Sequence, residues 1–443
     1  MEIKRDRLLK KLIEAKHSDF IKIITGIRRC GKSYLIFKLF KQHLLESGVR
    51  ADHLLEIDLE REEYKALRTP TALQKYIQSH LQHDGQWNYV LIDEIQLCRR
   101  MRPKGLDLTQ VHPDDIDDCW DTFYSILSQL RSMPNVDCYV TGSNSKLLSS
   151  DVATEFRGRG QVIHVTPLSF SEFVSAYPDE PNIYALLQEY LAYGGMPECL
   201  AQKTPEAKQA YLQNLYDTIY LRDLVKRHAL HGEKALCMVT DAIMSMIGGL
   251  TNPSKLANFI KSNLKFAISQ PTVVKHLKYL SDAFLIEEAR RFNVRGKHYL
   301  DYPSKYYATD NGLRNARTGF RQLEFPHLME NTIYNELRRN GYTVDVGVVG
   351  LNEKNNGKHV IASHEIDFVI NRGFQRIYVQ SAWMIPDDEK MRQETLPLKN
   401  TGDNFRKVVI DGQPFGARYL DNDGIGHINL IDFLLKPDSI ETL

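Results

Sequence analysis

Residues 20–33 read Phe20-Ile21-Lys22-Ile23-Ile24-Thr25-Gly26-Ile27-Arg28-Arg29-Cys30-Gly31-Lys32-Ser33. The first six have the apolar, β-branched character of a short buried strand, and a glycine-bounded stretch follows at once. Tyr34-Leu35-Ile36-Phe37-Lys38-Leu39-Phe40 then continues as helix. Strand, glycine loop and helix in that order is the context a GxxxxGKS loop needs. Its glycines let backbone N–H groups close around phosphates, and the helix N-terminus adds a favourable dipole. Gly26, Ile27, Arg28, Arg29, Cys30, Gly31, Lys32, Ser33 and Tyr34 are therefore the expected nucleotide-binding residues. Lys32 is expected to reach the β and γ phosphates, and Ser33 to place a hydroxyl on Mg2+.

A chance match to this pattern would predict no acidic strand downstream. Tyr89-Val90-Leu91-Ile92-Asp93-Glu94 is such a strand, ending in two carboxylates. Asp93 suits the magnesium-bound water, and Glu94 suits the orientation of an attacking water. The two segments together imply an α/β fold with a parallel sheet that takes ATP and Mg2+. A third apolar strand, Val136 to Val140, ends in Thr141-Gly142-Ser143-Asn144. It places small polar groups at the carboxyl edge of the sheet, where ligands sit. Ser143 or Asn144 is a candidate contact for the γ-phosphate or its water. The same turn also reads as a helix cap for Ser145 onward.

With 443 residues the chain exceeds what one core serves, so several domains are expected. Its 57 Lys and Arg nearly cancel 56 Asp and Glu, so contact with nucleic acid has to come from a local patch. The N-terminal 20 residues form a charged amphipathic pattern rather than a signal peptide, and no run approaches the ~20 apolar residues of a membrane span. A cytoplasmic location without a membrane partner is the expectation. Cys30, Cys98, Cys119, Cys138, Cys199 and Cys237 lack CxxC spacing and read as reduced thiols rather than a disulfide or zinc framework. Cys30 is the one whose modification bears on the phosphate loop.

Helical periodicity from Ile183 to about His228 reads as a small helical lid, and its aromatic stripe as core. Three further helices, Ala235 to Ile247, Pro253 to Lys261 and Gln270 to Phe284, precede strands around 286–291 and 299–308, the pattern of a winged helix-turn-helix. Ser269 is the expected cap of the recognition helix. Lys275, Lys278, Arg290, Arg291, Arg295 and Lys297 form a local basic set suited to DNA phosphates. Such modules also dock proteins or relay a nucleotide state. The last segment, a helix from Leu328 and strands at 343–349, 365–370 and 376–380, has the order of a restriction-type nuclease. There an Asp and a Glu-x-Lys hold magnesium and activate water. Asp367 matches the Asp, but Gln380-Ser381-Ala382 stands where Glu-x-Lys is expected, so the site is expected to be inactive. Glu330 and Glu365 either join Asp367 in a weak metal site or decorate a solvated face.

GIRRCGKS, VLIDEIQ, TGSNSKLL, FRGRGQVIHVTPLSFSEF, YGGMPE, MENTIYNELRRNGY and HEIDFVI together resemble the AAA-type ATPases of bacteria and archaea in which an ATPase module is fused to a nuclease-like C-terminal domain of unknown function. The resemblance implies an AAA-type core at residues 1–175, a lid at 176–232, a winged helix at 233–322 and a nuclease-like domain, inactive, at 323–443. It also implies that Arg159, with Arg157 in reserve, is a finger reaching a neighbouring subunit's γ-phosphate, so that hydrolysis depends on a homo-oligomer. Pairing of either arginine with a surface carboxylate is the alternative.

Overall fold

The computed structural model describes residues 3–102, 119–142, 159–228, 230, 233–321, 323–355, 358–414, 416 and 418–442. It divides into two compact units, Lys4–Thr166 and one that holds Pro167–Leu443.

The first unit opens with α1 (Asp6–Glu14) and β1 (Ile21–Thr25), whose five residues are all buried. A continuous helix over 32–46 follows, α2, with one wide turn at Leu35–Phe40. Then come β2 (Leu54–Asp58), α3 (Pro70–His80), β3 (Asn88–Asp93), α4 (Phe123–Ser132), β4 (Val136–Gly142) and β5 (Gly160–His164). The strands form one sheet in the order β2-β3-β4-β1-β5, and every pairing is parallel. Both faces of a parallel sheet are covered, which is why its central strands are near-continuous apolar runs. Ile21, Ile23, Val90, Ile92 and Val140 meet Leu73, Ile77, Leu127 and Leu130 of α3 and α4 on one face. On the other, Tyr139 meets Phe40 of α2 with ring centroids 4.6 Å apart.

Lys22 breaks the apolar run of β1 and is fully buried, held by Asp137 one strand away. Asp137 also accepts from Tyr139 Oη at 3.1 Å and the His17 N–H at 3.0 Å. A buried ion pair with its remaining lone pairs occupied is tolerated, whereas one partner left alone costs several kcal/mol.

The second unit begins with α5 (Phe170–Ser175), started by a capping box between Ser169 and Glu172. Next are α6 (Ile183–Tyr193) and a helix over 205–227, α7. Three helices follow, α8 (Lys234–Ser245), α9 (Pro253–Asn263) and α10 (Gln270–Asp282), the last capped by Ser269 with Pro271 in its first turn. β6 (Ile286–Asn293) and β7 (His298–Ala308) form an antiparallel hairpin, with α11 (Asn311–Arg317) behind it. The chain continues through α12 (Phe325–Arg339), β8 (Thr343–Asn355), β9 (Lys358–Arg372), β10 (Gln375–Ala382), α13 (Asp388–Lys399), β11 (Arg406–Asp411), β12 (Tyr419–Leu420), β13 (Gly426–Asn429) and α14 (Leu430–Leu435).

The hairpin does not stand apart as the strand pattern alone suggests. β6 pairs in parallel with β8, so one eight-stranded mixed sheet runs β12-β13-β11-β10-β9-β8-β6-β7. Its two faces bury separate clusters. One gathers Tyr307, Ile333, Val346, Phe368 and Ile428 with Phe170 and Leu187, and the other gathers Phe292, Ile366, Tyr378 and Leu398. The Tyr193-Gly194-Gly195-Met196-Pro197 turn is fixed by Asp310, whose carboxylate accepts the Gly195 N–H at 2.6 Å and caps α11 through Leu313 at 3.0 Å. A Cβ on Gly194 would stand 2.1 Å from that carboxylate, which explains the glycine.

Candidate nucleotide site

The loop from Gly26 to Gly31 leaves the carboxyl end of β1 in a conformation most residues avoid. Gly26 has φ +143°, Arg29 +61° and Gly31 +98°. Gly26 is required twice, because a Cβ there would lie 2.0 Å from the Val165 carbonyl oxygen. Beneath the loop, Cys30 is fully buried, its thiol donates to the Val165 carbonyl at 3.2 Å, and burial pushes its pKa up. It is a packing residue, shielded from reagents. Arg5, in a segment that reads as a surface helix, is buried instead. Its guanidinium donates to the carbonyls of Cys30 and Thr166, each at 2.9 Å, and so braces the loop from below.

Lys32 is buried and its ammonium donates to the Gly26 and Ile27 carbonyls at 3.0 and 3.1 Å, folded back over the loop that an anion would fill. Ser33 is exposed, and its hydroxyl is hydrogen-bonded to Asp93 on β3. The Asp93 carboxyl is raised above the usual range, chiefly by burial, with the hydroxyls of Ser33 and Thr141 opposing. Ser33 and Asp93 thus form an all-oxygen donor pair beside the loop, the chemistry a small hard cation takes, and the residues fit Mg2+.

Glu94 follows Asp93 with φ +52°, an unfavourable conformation for a glutamate. Its N–H donates to Thr141 Oγ1 at 3.1 Å, while the Thr141 hydroxyl donates to Asp93. Gln96 donates its amide to the Glu94 carboxylate. Thr141 is therefore the polar residue of β4 that meets both acids. It sits beside Asp93 because β4 pairs with β3 in the register Ile92↔Val140, a neighbour relation that no single strand reveals. Ser143 and Asn144 lie outside the described residues, as does Arg157. Arg28 is half-buried and Arg29 exposed on the loop, and Tyr34 carries a buried hydroxyl without a hydrogen-bond partner among the described residues.

Arg159 is exposed at the start of β5, where its carbonyl accepts from the Ile21 N–H at 3.1 Å. β5 runs parallel to β1 with Gly160 beside Ile21 and His164 beside Thr25. Arg159 therefore stands at the amino edge of the sheet, while the phosphate loop, Asp93 and Glu94 stand at the carboxyl edge. The two edges are separated by a strand length of roughly 16 Å.

This sheet, loop and acidic strand end define a P-loop fold of the AAA type. Residues 18–174 match the family model described as an AAA domain, and residues 184–324 match a domain of unknown function. An uncharacterized protein of Haemophilus influenzae is 32% identical over 437 residues, covering 98% of this chain and 99% of that one. One of Methanocaldococcus jannaschii is 27% identical over 438 residues, covering 92% and 88%. The chain belongs to this family of bacterial and archaeal AAA-type P-loop ATPases. Among solved structures, a Walker-type ATPase of Pyrococcus abyssi is similar over 72% of this chain and 96% of its own, at 16% identity and a TM-score of 0.48. Among the described residues no helix is long and apolar enough to cross a membrane.

Proposed function

We propose that this protein binds ATP with Mg2+ and hydrolyses it, and that turnover changes the relation between the AAA-type core and C-terminal modules that engage a partner or DNA. The observation that carries the reading is the convergence of the loop, Lys32, Ser33, Asp93, Thr141 and Glu94 at one sheet edge. Backbone N–H groups of the loop and the α2 N-terminus hold the phosphates. Lys32 exchanges its two carbonyl partners for phosphate oxygens. Ser33 and Asp93 would hold the metal, which supplies charge neutralisation on the β and γ phosphates. Glu94 orients the attacking water and accepts its proton once Gln96 releases the carboxylate.

Arg159 is too far from its own loop, so the finger role needs a second copy of the chain, and the active form is a homo-oligomer. A nucleotide-gated switch with little turnover is the second reading, favoured by the Gln96 hold on Glu94 and by the distance of Arg159 from the loop of its own chain. The two separate on a test of ATP binding against steady-state hydrolysis, with Glu94→Gln as the control. Binding without turnover at every protein concentration selects the switch.

Residues 176–232, 233–322 and 323–443 serve in this reading as lid, winged helix and inactive nuclease-like module. Lys275 and Lys278 are exposed on α10 and Lys297 on the hairpin turn, which supports contact with DNA phosphates. Arg295 is exposed as well, and its guanidinium donates to the Asn400 and Gly350 carbonyls at 2.9 and 3.2 Å. Arg290 stacks over Tyr299 at 4.1 Å.

A further inference from the structure

Asp367 on β9 faces Gln380 and Ser381 on β10. Its backbone N–H donates to Gln380 Oε1 at 3.3 Å, and its Oδ2 accepts from the Ser381 N–H at 2.9 Å and Oγ at 2.8 Å. Glu365 precedes it by two residues on the same strand, and Glu330 arrives from α12. All three belong to the set read as a weak metal site or a solvated face; Glu330 and Asp367 are buried, with side chains 11% exposed, and Glu365 keeps 31% of its side chain in solvent.

Into this cluster reaches Lys305 of β7, with its side chain 4% exposed. Its Nζ lies 2.8 Å from Glu330 Oε1, 2.6 Å from Glu365 Oε1 and 3.7 Å from Asp367 Oδ1. Tyr307, two residues along β7, donates to Glu330 Oε1 at 2.7 Å. A lysine is thus present after all. It comes from a strand 75 residues ahead of Gln380 in the chain, where no local motif could point to it.

Two buried carboxylates with a partly exposed third beside them need a counter-charge, since an uncompensated buried charge is far costlier than a paired one. An ammonium has three donors and no acceptor, and here two point at Glu330 and Glu365 with Asp367 next in reach. Among the described residues no group of three or more His, Cys, Asp or Glu is arranged to hold a metal ion.

We propose that Lys305 is a tethered counter-ion standing where a nuclease-like centre would hold its metal, so that the Glu330, Glu365 and Asp367 cluster is closed from within and takes no divalent cation while Lys305 is in place. This rests on the reading of residues 323–443 as a nuclease-derived module. The same ammonium ties the β6–β7 hairpin to the sheet built by β8 to β13, adding to the β6–β8 pairing. The module's carboxylates then serve architecture rather than hydrolysis. Burial pushes the Glu330 carboxyl up, and the Lys305 ammonium opposes that shift.

The test uses the full-length chain without nucleotide, carrying Asp93→Asn to silence the P-loop metal, and titrates Mn2+ by electron paramagnetic resonance. The Asp93→Asn protein is expected to leave free Mn2+ unchanged. Adding Lys305→Met is expected to give one bound Mn2+ per chain at least ~100-fold tighter, abolished by Asp367→Asn. A folded Lys305→Met protein that binds no Mn2+ overturns the proposal. Should that variant not fold, the Asp93→Asn protein with and without Asp367→Asn decides, since both keep Lys305. Equal, negligible uptake supports closure, and Asp367-dependent uptake overturns it. Asp367-dependent cleavage of duplex DNA by the wild-type chain would instead overturn the underlying reading of an inactive module.

Discussion

Gly26→Ala tests whether the loop is built as described. The new Cβ would stand 2.0 Å from the Val165 carbonyl oxygen, where real contacts stay beyond 3.0 Å, so something must move by about 1 Å. Val165 cannot yield freely, because its own N–H donates to the Thr25 carbonyl at 2.8 Å and its carbonyl receives the Cys30 thiol. Overpacking of this kind costs about 1–3 kcal/mol. An alanine at φ +143° adds another ~1–3 kcal/mol of backbone strain. The sum, about 2–6 kcal/mol, is a large share of a typical domain stability of about 5–15 kcal/mol. Gly85→Ala is the control, with φ +85° and nothing within 4 Å, so it carries only a backbone cost of about 1 kcal/mol. Differential scanning fluorimetry with fluorescent ATP binding reads both. Gly26→Ala should melt about 5–20 °C lower and lose nucleotide affinity, whereas Gly85→Ala should shift by about 2–4 °C and bind normally. A Gly26→Ala protein that melts and binds like Gly85→Ala refutes the reasoning.

Lys22→Met leaves Asp137 buried without its ammonium and should cost about 3–5 kcal/mol, read as a lowered urea midpoint; Asp137→Asn in the same chain should recover part of it. Native thiol labelling should modify Cys119 and Cys237 and spare Cys30, Cys98, Cys138 and Cys199, which are buried. Burial pushes the thiols of Cys98, Cys138 and Cys199 up to about 12, so these three should stay protonated and unlabelled when the pH rises from about 7 to 9. If α10 meets DNA, Lys275→Ala with Lys278→Ala should lower the slope of log affinity against log salt by about two; an unchanged slope speaks for protein docking instead.

The candidate nucleotide site is legible in the chain because its parts are local. A strand, a loop and a helix start lie within residues 20–40, and the acidic pair ends a strand of its own. What the sequence does not disclose depends on neighbours distant in the chain. Thr141 meets Asp93 only because β4 lies between β1 and β3. Arg5 reads as one charge of an amphipathic surface helix, yet it is buried under Cys30 and Thr166. Lys305 lies in a tyrosine-rich strand of a hairpin with no motif around it, and only the pairing of β6 with β8 brings it to the carboxylates of β9 and α12. Gln380 illustrates the opposite case. The absence of a Glu-x-Lys is plain in the sequence, but the approach of Lys305 to Glu330, Glu365 and Asp367 needs the whole sheet.

In the function proposed above, ATP turns over at the carboxyl edge of the first sheet and Arg159 of a second copy completes the site. Steady-state hydrolysis measured across a protein concentration series, for wild type, Glu94→Gln and Arg159→Ala, tests it most directly. The rate per chain should rise with concentration, fall by about 10²–10⁴-fold in Glu94→Gln while ATP still binds, and fall in Arg159→Ala. A rate per chain independent of concentration and untouched by both substitutions would contradict it.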